Sequence, residues 1–161
     1  MLKSYYIFAL IILNTSILYA QKEYIKQTYE NGQIKKEGWI ENGEKNGYWQ
    51  YYYESGDLKE QGSFAHDKPS GYWHYFKENG KKIKEGHFIN GNPGNWWVFY
   101  TASGSVNYKC QMYDGLKDGY LLDYNNNGKL ISASEYSKGK LIKEWVDYLS
   151  FTKENDLDDL R

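Results

Sequence analysis

The chain has 161 residues, about one domain, with 20 basic and 21 acidic residues and a formal net charge of -1. Aromatic residues make up 19% of it, including 18 tyrosines and 6 tryptophans, and so much buriable area excludes a disordered protein. The near-neutral charge excludes a polybasic nucleic-acid binder, and the charged fraction of 25% excludes a polytopic membrane protein.

The first twenty residues are typical of a secretory signal peptide. Lys3 is their only charged residue, an apolar run extends from Tyr5 to Leu13, and the small residue Ala20 precedes Gln21. The run is shorter than the roughly 20 residues of a spanning helix, which disfavours an uncleaved anchor. We therefore predict a signal peptide at residues 1–20, cleavage before Gln21, and export to the periplasm, the cell envelope or the extracellular space.

Residues recur along the rest of the chain with a period of 24, which indicates a tandem array. A glycine phase consists of Gly32, Gly56, Gly80, Gly104 and Gly128. A phase of small residues consists of Gly38, Gly62, Gly86, Cys110 and Ser134. Two aromatic-rich phases keep the same period: Trp49, Trp73, Trp97, Leu121 and Trp145 form one, and Tyr52, Phe76, Tyr100, Tyr124 and Tyr148 form the other.

Each unit contains an aromatic run, a glycine-containing turn and a mixed run, as in the segment GYWQYYYESGDLKEQGSF. Aromatic runs bounded by glycine turns favour strands, and 24 residues accommodate two strands of about six residues with two short connections. We therefore predict an all-β fold, an elongated antiparallel meander of stacked β-hairpins built from five 24-residue tandem repeats and ten strands. Residues 21–148 form this repeat domain, and residues 21–28 add an initial strand or a cap.

The phase of small residues predicts how the sheet packs. A glycine within a strand weakens a sheet unless another group must approach closely, so Gly38, Gly62 and Gly86 indicate room for a neighbouring indole. Cys110 shares this phase and is expected to be a small buried packing residue. It is the only cysteine, so no intramolecular disulfide can form. A further, apolar phase consists of Ile34, Leu58, Val106 and Leu130, and Lys82 takes its position in the third unit. This predicts a local bulge or an outward-facing lysine there.

Alternation along the strands assigns the side chains to two faces, and both faces carry aromatic residues. If one face binds a ligand, we expect it to be the face that carries the tryptophans of the 24-residue period. Its candidate residues are Trp49, Tyr51, Trp73, Tyr75, Trp97 and Phe99. The column of Tyr52, which is aromatic in all five units, is expected to be structural.

The repeats resemble those of a known family. The pattern NGxLKxEGxFxxGxxxGYWxYYxxxG, present here as ENGQIKKEGWIENGEKNGYWQYYYESG and as SGDLKEQGSFAHDKPSGYWHYFKENG, is similar to the MORN-repeat variant of bacterial proteins catalogued as YwqK-like antitoxins. The resemblance covers about residues 29–148 and fades in the last two units, where Leu121 and Lys143 depart from the pattern. It implies an elongated sheet that serves as a scaffold for protein or membrane-surface contacts, without enzymatic activity.

No residue pattern indicates catalysis. The chain lacks a GxSxG elbow, an HExxH helix and a phosphate-binding glycine loop, and no carboxylate pair is singled out as acid and base. His66 is expected in a turn, and His74 and His87 could face each other across strands, but two imidazoles without a third ligand make a weak metal site. We predict no enzyme activity, no catalytic residues, no metal site and no cofactor.

Two binding functions from different classes fit these features. The first is a non-catalytic protein-interaction scaffold whose partner is an unidentified envelope or extracellular protein. The second is a carbohydrate-binding module, in which Trp49, Trp73 and Trp97 form an aromatic ladder with a spacing of two strands, about 9.6 Å. Outward-facing tryptophans would favour the glycan, and buried ones the scaffold. The scattered lysines disfavour a nucleic acid or an anionic membrane surface as partner.

Residues 149–161 leave the period and form an acidic C-terminal tail with Glu154, Asp156, Asp158 and Asp159. We expect either a short helix that begins near Thr152 or Asn155, or a frayed end. Solvation of a chain terminus explains the acidic residues better than guidance of a basic partner does.

Overall fold

Consecutive antiparallel strands form a single sheet in the computed structural model, which describes residues 21–156 and Leu160. Each strand pairs with its neighbours in sequence, so the order along the sheet is the order along the chain. The strands are β1 (Lys22–Thr28), β2 (Ile34–Glu41), β3 (Glu44–Tyr52), β4 (Leu58–Ala65), β5 (Lys68–Phe76), β6 (Lys82–Ile89), β7 (Asn92–Tyr100), β8 (Val106–Tyr113), β9 (Leu116–Tyr124), β10 (Leu130–Ser137) and β11 (Lys140–Trp145). The predicted meander of stacked hairpins is confirmed, and β1 is the initial strand ahead of the ten predicted ones.

The predicted signal peptide, residues 1–20, lies outside the described residues. Within residues 21–156 and Leu160, no helix is both long and apolar enough to span a membrane.

A short helix, α1 (Tyr148–Thr152), follows the last strand. Its N-cap is Asp147, whose carboxylate accepts a hydrogen bond from the backbone nitrogen of Ser150 at 2.7 Å. The helix therefore begins earlier than the predicted start near Thr152 or Asn155, because the capping carboxylate precedes the acidic tail.

In each of three inner repeats, a tryptophan packs flat against a glycine of the preceding strand. Trp49, Trp73 and Trp97 are 1%, 3% and 3% exposed. A Cβ atom added to Gly62 would lie 2.2 Å from the indole of Trp73, and the equivalent distance in the repeats on either side is 2.3 Å. The prediction that these glycines make room for neighbouring indoles is confirmed.

The same indoles satisfy backbone groups at a β-bulge. In the first repeat, pairing between β2 and β3 joins Gly38 to Trp49 and Ile40 to Lys45, so Trp39 is skipped. The Trp49 indole nitrogen donates a hydrogen bond to the Trp39 carbonyl at 2.9 Å, and the next two repeats repeat this bond at 3.1 and 3.0 Å. Burial without loss of hydrogen bonding makes these tryptophans structural residues.

The bulge requires one residue with a left-handed backbone. Gly47 and Gly71 provide it with φ of 82° and 69°, Gly119 with φ of 101°, and Asn95 occupies the same slot with φ of 58°. Glycine adopts this conformation without the steric cost that a Cβ atom brings, and asparagine tolerates it better than most residues.

The last repeat lacks this residue, and its register changes accordingly. Lys143 occupies the slot of Gly47 and is not left-handed. Pairing between β10 and β11 skips only Ile142, so Trp145 lies opposite Ala133 rather than opposite Ser134. A shift of one residue moves a side chain to the other face, so the predicted column of tryptophans does not extend to Trp145.

On that other face, Trp145 joins a C-terminal core. Its buried members are Leu122, Leu130, Ala133, Trp145 and Phe151, and Leu160 packs against them. Phe151 is fully buried, with its ring centroid 5.2 Å from that of Trp145. The reversed tryptophan thus anchors α1 to the sheet.

The bulge predicted at Lys82 is present, because pairing between β5 and β6 is shifted where Lys82 lies opposite Phe76. The same shift occurs in the repeats on either side, where Leu58 pairs with Tyr52 and Val106 pairs with Tyr100. The bulge is therefore a property of the repeat rather than a consequence of the lysine.

Candidate binding faces of the sheet

Because the sheet is a single layer, its two faces are distinct candidate surfaces. We call face A the one that carries the column of Trp49, Trp73 and Trp97, and face B the one that carries Tyr48 and Tyr52. The assignment follows from the alternation of side chains along β3.

The six residues predicted for a ligand face all lie on face A, in three adjacent pairs. The ring centroids are 6.0 Å apart in the pair Trp49 and Tyr51, 6.1 Å apart in Trp73 and Tyr75, and 6.5 Å apart in Trp97 and Phe99. The three tryptophans are buried, and their three partners are half-buried.

Lysine side chains cover part of this aromatic surface. The Lys45 ammonium lies 5.1 Å from the ring centroid of Trp49 and donates a hydrogen bond to the Tyr51 hydroxyl at 2.8 Å. The Lys84 ammonium lies 4.5 Å from the ring centroid of Tyr75. Since the indoles are buried and the adjacent rings hold cations, face A leaves little aromatic surface for a sugar to stack on.

Cys110 lies on face A and is 2% exposed. Its sulfur is 3.6 Å from the Met112 sulfur, and burial raises the pKa of the thiol to about 11. The prediction that it is a buried packing residue is confirmed, and a thiol that stays protonated near neutral pH is a poor nucleophile.

The three histidines lie in two places, one in a turn and two on face B. His66 is in the β4–β5 turn, as predicted, with φ of 49°. His74 and His87 are both on face B, where the Tyr72 ring centroid lies 5.0 Å from the first and 4.7 Å from the second. His74 Nδ1 lies 2.8 Å from a Glu85 carboxylate oxygen. Among residues 21–156 and Leu160, no group of three or more His, Cys, Asp or Glu side chains could hold a metal ion.

Glu85 is a buried carboxylate on face B, 8% exposed. It accepts hydrogen bonds from the Lys82 ammonium at 2.6 Å and from the Tyr100 hydroxyl, in addition to its contact with His74. Burial by itself raises the pKa of Glu85, but the bonds from Lys82 and Tyr100 outweigh it and hold the pKa below its ordinary value of 4.5. Glu85 is therefore an ionised carboxylate whose charge is neutralised within the sheet.

Glu37 occupies the equivalent slot two repeats earlier and is 9% exposed. It accepts a hydrogen bond from the Tyr52 hydroxyl at 2.8 Å and lies 3.1 Å from the Lys26 ammonium. Burial raises its pKa, but the bonds from Tyr52 and Lys26 prevail and leave the pKa below 4.5. The column of Tyr52 is thus structural, as expected. The sequence did not indicate its carboxylate partners Glu37 and Glu85, which share one phase of the repeat.

Exposed aromatic residues line face B at equivalent positions of three repeats. Tyr48 is 48% exposed and Tyr72 is 39% exposed, while Trp96 is half-buried. Their cross-strand partners are polar. The aromatic row, as we call this set, consists of the pairs Tyr48 with Ser63, Tyr72 with His87, and Trp96 with Gln111.

Sequence reasoning did not select the aromatic row, although its signal was present. Tyr48, Tyr72 and Trp96 immediately precede the three buried tryptophans and share their 24-residue period. Both columns have the same period and aromatic character, so the pattern could not tell which one faces solvent.

Two shallow depressions adjoin the C-terminal part of the aromatic row. The first has a volume of about 480 Å³ and is lined by Tyr72, His87, Asn95, Trp96, Val98 and Gln111. The second, also of about 480 Å³, continues past Trp96 and Val98 and reaches Leu160. The row therefore ends in a concave region with aromatic walls and amide groups.

The two edges of the sheet differ in character. At one edge, the last strand, the residue after it and the helix carry four exposed aliphatic residues that we call the C-terminal edge. They are Leu141, Ile142, Val146 and Leu149, which are 54%, 59%, 77% and 69% exposed. At the opposite edge, β1 exposes the charged residues Lys22, Glu23 and Lys26. Charged side chains on an edge strand oppose association, whereas exposed aliphatic ones favour it.

No protein-family model matches the chain, and no curated protein matches it. Several solved chains are similar to it, among them two structures of TarM. One is a mutant of S. aureus TarM in complex with fondaparinux, alpha-GlcNAc-glycerol and UDP, at 15% identity and a TM-score of 0.46, and the other is a crystal structure of TarM, at 17% identity and a TM-score of 0.45. Each match covers 79% of this chain and 22% of the other chain, so this chain spans less than a quarter of their length.

Proposed function

We propose that this protein is an exported, non-catalytic protein-interaction scaffold built from MORN-like repeats, and that a partner protein docks on its C-terminal edge. The observation that supports this function is the exposure of Leu141, Ile142, Val146 and Leu149 along the last strand and the segment that follows it. An unpaired edge strand with exposed aliphatic side chains favours association with a partner.

The packing beneath this edge suits a docking surface. Trp145 and Phe151 are 5% and 0% exposed and hold β11 and α1 together from the inside. The aliphatic residues above them are therefore presented by a fixed element, so less conformational entropy is lost on association.

The resemblance to MORN-like repeats has structural support of the same kind. Each repeat forms one hairpin, and the tryptophan and glycine of the motif are the two residues that pack against each other, as Trp73 does on Gly62. The motif thus describes a way of building a sheet, and this structural use of its residues supports the proposed non-catalytic role.

The experiment is affinity capture with the full-length chain. Immobilised wild-type protein, incubated with an envelope extract from its own source, is expected to enrich a specific protein. Ile142→Lys places a charge among the exposed aliphatic residues and is expected to abolish this enrichment. Ile89→Lys is the matched control, because Ile89 is 50% exposed but lies at the end of β6, far from β11 in the sheet.

Two results would count against the proposed function. One is a wild-type chain that enriches no protein above bare resin. The other is a captured protein that both lysine variants release equally, since the contact would then lie elsewhere or be non-specific. Circular dichroism of both variants establishes that the sheet is intact.

A further inference from the structure

We infer that the aromatic row on face B binds a linear, uncharged polysaccharide. The row is separate from the C-terminal edge, so this inference does not depend on the protein partner proposed above. It rests on the exposure, spacing and charge of named residues on face B.

The spacing of the row suits a repeating chain of sugars. Tyr48, Tyr72 and Trp96 lie on β3, β5 and β7, and alternate strands of a sheet are about 9.6 Å apart. A ligand that stacks on all three rings must run across the strands for roughly 19 Å and present similar apolar faces at regular intervals. An extended polysaccharide has this form.

Polar side chains stand between the rings. Ser63 and His87 lie on the intervening strands β4 and β6, and Gln111 lies on β8, next to Trp96 on its other side. They pair across the ladder with Tyr48, Tyr72 and Trp96. A hydroxyl, an imidazole and an amide can each donate or accept hydrogen bonds. Alternation of ring and polar group matches a sugar, whose ring carbons are apolar and whose hydroxyls project around the rim.

The charge of face B favours an uncharged ligand. Its two buried carboxylates already have cationic partners, since Glu37 is paired with Lys26 and Glu85 with Lys82. Neither sign of charge is left in excess along these pairs, so the pairs favour a neutral polymer over an anionic or cationic one.

The row has a defined end. The next residue of the column, Tyr120, donates a hydrogen bond to Asn155 at 2.8 Å, and its ring centroid lies 5.8 Å from that of Phe151. Residues of the C-terminal segment thus cover the position that follows Trp96, and the ligand is confined to the positions before it.

The test is calorimetric titration of the full-length chain with four hexasaccharides: cellohexaose, chitohexaose, maltohexaose and, as the charged comparison, hexagalacturonate. We expect at least one neutral hexasaccharide to bind, its disaccharide to bind more weakly, and hexagalacturonate not to bind. Tyr72→Ser removes the central ring and is expected to weaken binding by about tenfold.

Tyr113→Ser is the matched control, because Tyr113 is 73% exposed but lies at the end of β8, outside the aromatic row. It is expected to leave affinity unchanged, and Tyr48→Ser, at the far end of the row, is expected to reduce it. Thermal melting of each variant identifies any loss of fold.

Three results would overturn the inference. The first is that no neutral hexasaccharide binds the wild-type chain. The second is binding that Tyr72→Ser and Tyr113→Ser affect equally. The third is a protein partner that Tyr72→Ser releases while all saccharides fail to bind, which would make the row a protein contact; loss of protein capture by Ile142→Lys alone would concern only the C-terminal edge.

Discussion

The third and the last repeats carry a tryptophan at the same position of the repeat, but on opposite faces of the sheet. Trp97 lies on face A against Gly86, with its indole nitrogen 3.0 Å from the His87 carbonyl. Trp145 lies on face B in the core that holds α1. The same residue type at the same phase therefore builds the array in one case and closes it in the other.

The difference between the two repeats originates at the bulge. Asn95 precedes Trp97 by two residues with φ of 58°, whereas Lys143 precedes Trp145 by two residues without a left-handed backbone. One fewer residue is accommodated in the last hairpin, and every side chain after that point changes face. Closure of the array thus depends on the backbone of a single position rather than on the tryptophan.

The largest expected effect follows removal of an inner indole. Trp73→Ala leaves a cavity on Gly62 and an unpaired backbone carbonyl, and is expected to lower the free energy of unfolding by about 3–5 kcal/mol. Trp145→Ala is expected to act locally, so that hydrogen exchange accelerates in α1 and β11 first. Urea unfolding and amide exchange measure both effects.

Trp39→Ala is the control for that comparison, because Trp39 is 38% exposed. An equal loss of stability in Trp39→Ala and Trp73→Ala would contradict the structural role of the inner indoles.

A smaller effect is expected when the glycine beneath the indole acquires a side chain. Gly62→Ala places a Cβ 2.2 Å from the Trp73 ring and is expected to cost about 1–3 kcal/mol through overpacking. Ser134→Ala changes the same phase in the last repeat, where no indole covers it, and is expected to be nearly neutral. Equal shifts of the urea midpoint in both variants would show that an indole over this position makes no difference to its packing.

The bulge residue itself is the next test. Gly71 has φ of 69° and open space around a built Cβ, so Gly71→Lys is expected to cost about 1–2 kcal/mol through backbone strain rather than collision. Gly71→Asn is expected to cost less, because Asn95 adopts this conformation in the next repeat. Thermal melting ranks the two variants, and the reverse order would show that the slot does not require a left-handed backbone.

The smallest effect concerns acid. Hydrogen bonds hold the pKa of Glu85 below its ordinary value of 4.5, so its ionisation stabilises the folded state fully above pH 4.5. This contribution is lost as the pH falls from 4.5 through the lower pKa of the folded state. The last repeat has Ala133 at the same phase and makes no such contribution. Glu85→Gln is expected to lose less stability than wild type on acidification.

Exposed Glu78 provides the control for the acid experiment. Urea midpoints measured above and below pH 4.5 are expected to change equally in wild type and Glu78→Gln, and less in Glu85→Gln. A pH dependence that is unchanged in Glu85→Gln would place the acid-sensitive group elsewhere.

Much of this fold was predictable from the sequence because the repeat is short and its signals are local. A period of 24 residues with glycine turns leaves room only for a hairpin, and sequential hairpins pair with their neighbours. The small-residue phase also predicted the contact between Gly62 and Trp73, since a mid-strand glycine signals a close approach.

The candidate surfaces were less predictable. Tyr72 and Trp73 are adjacent, aromatic and equally periodic, yet the first is 39% exposed and the second 3%. Which of them is buried depends on the glycine that the neighbouring strand brings against it. The register between the two strands cannot be predicted from either residue alone. Glu85 was missed for the same reason, because its burial depends on His74 and Tyr100 meeting it from the neighbouring strands, in addition to Lys82 of its own strand.

The amino-acid sequence by itself determined the repeat, the strand order and the pairing of indole with glycine, because these arise from turns and contacts between adjacent segments. Only the tertiary structure decided the faces. Trp145 changes sides through a one-residue difference in register, and Phe151 then returns across the sheet to cover it. Register is a property of two strands together, so its consequences for exposure emerge only when the whole sheet is assembled.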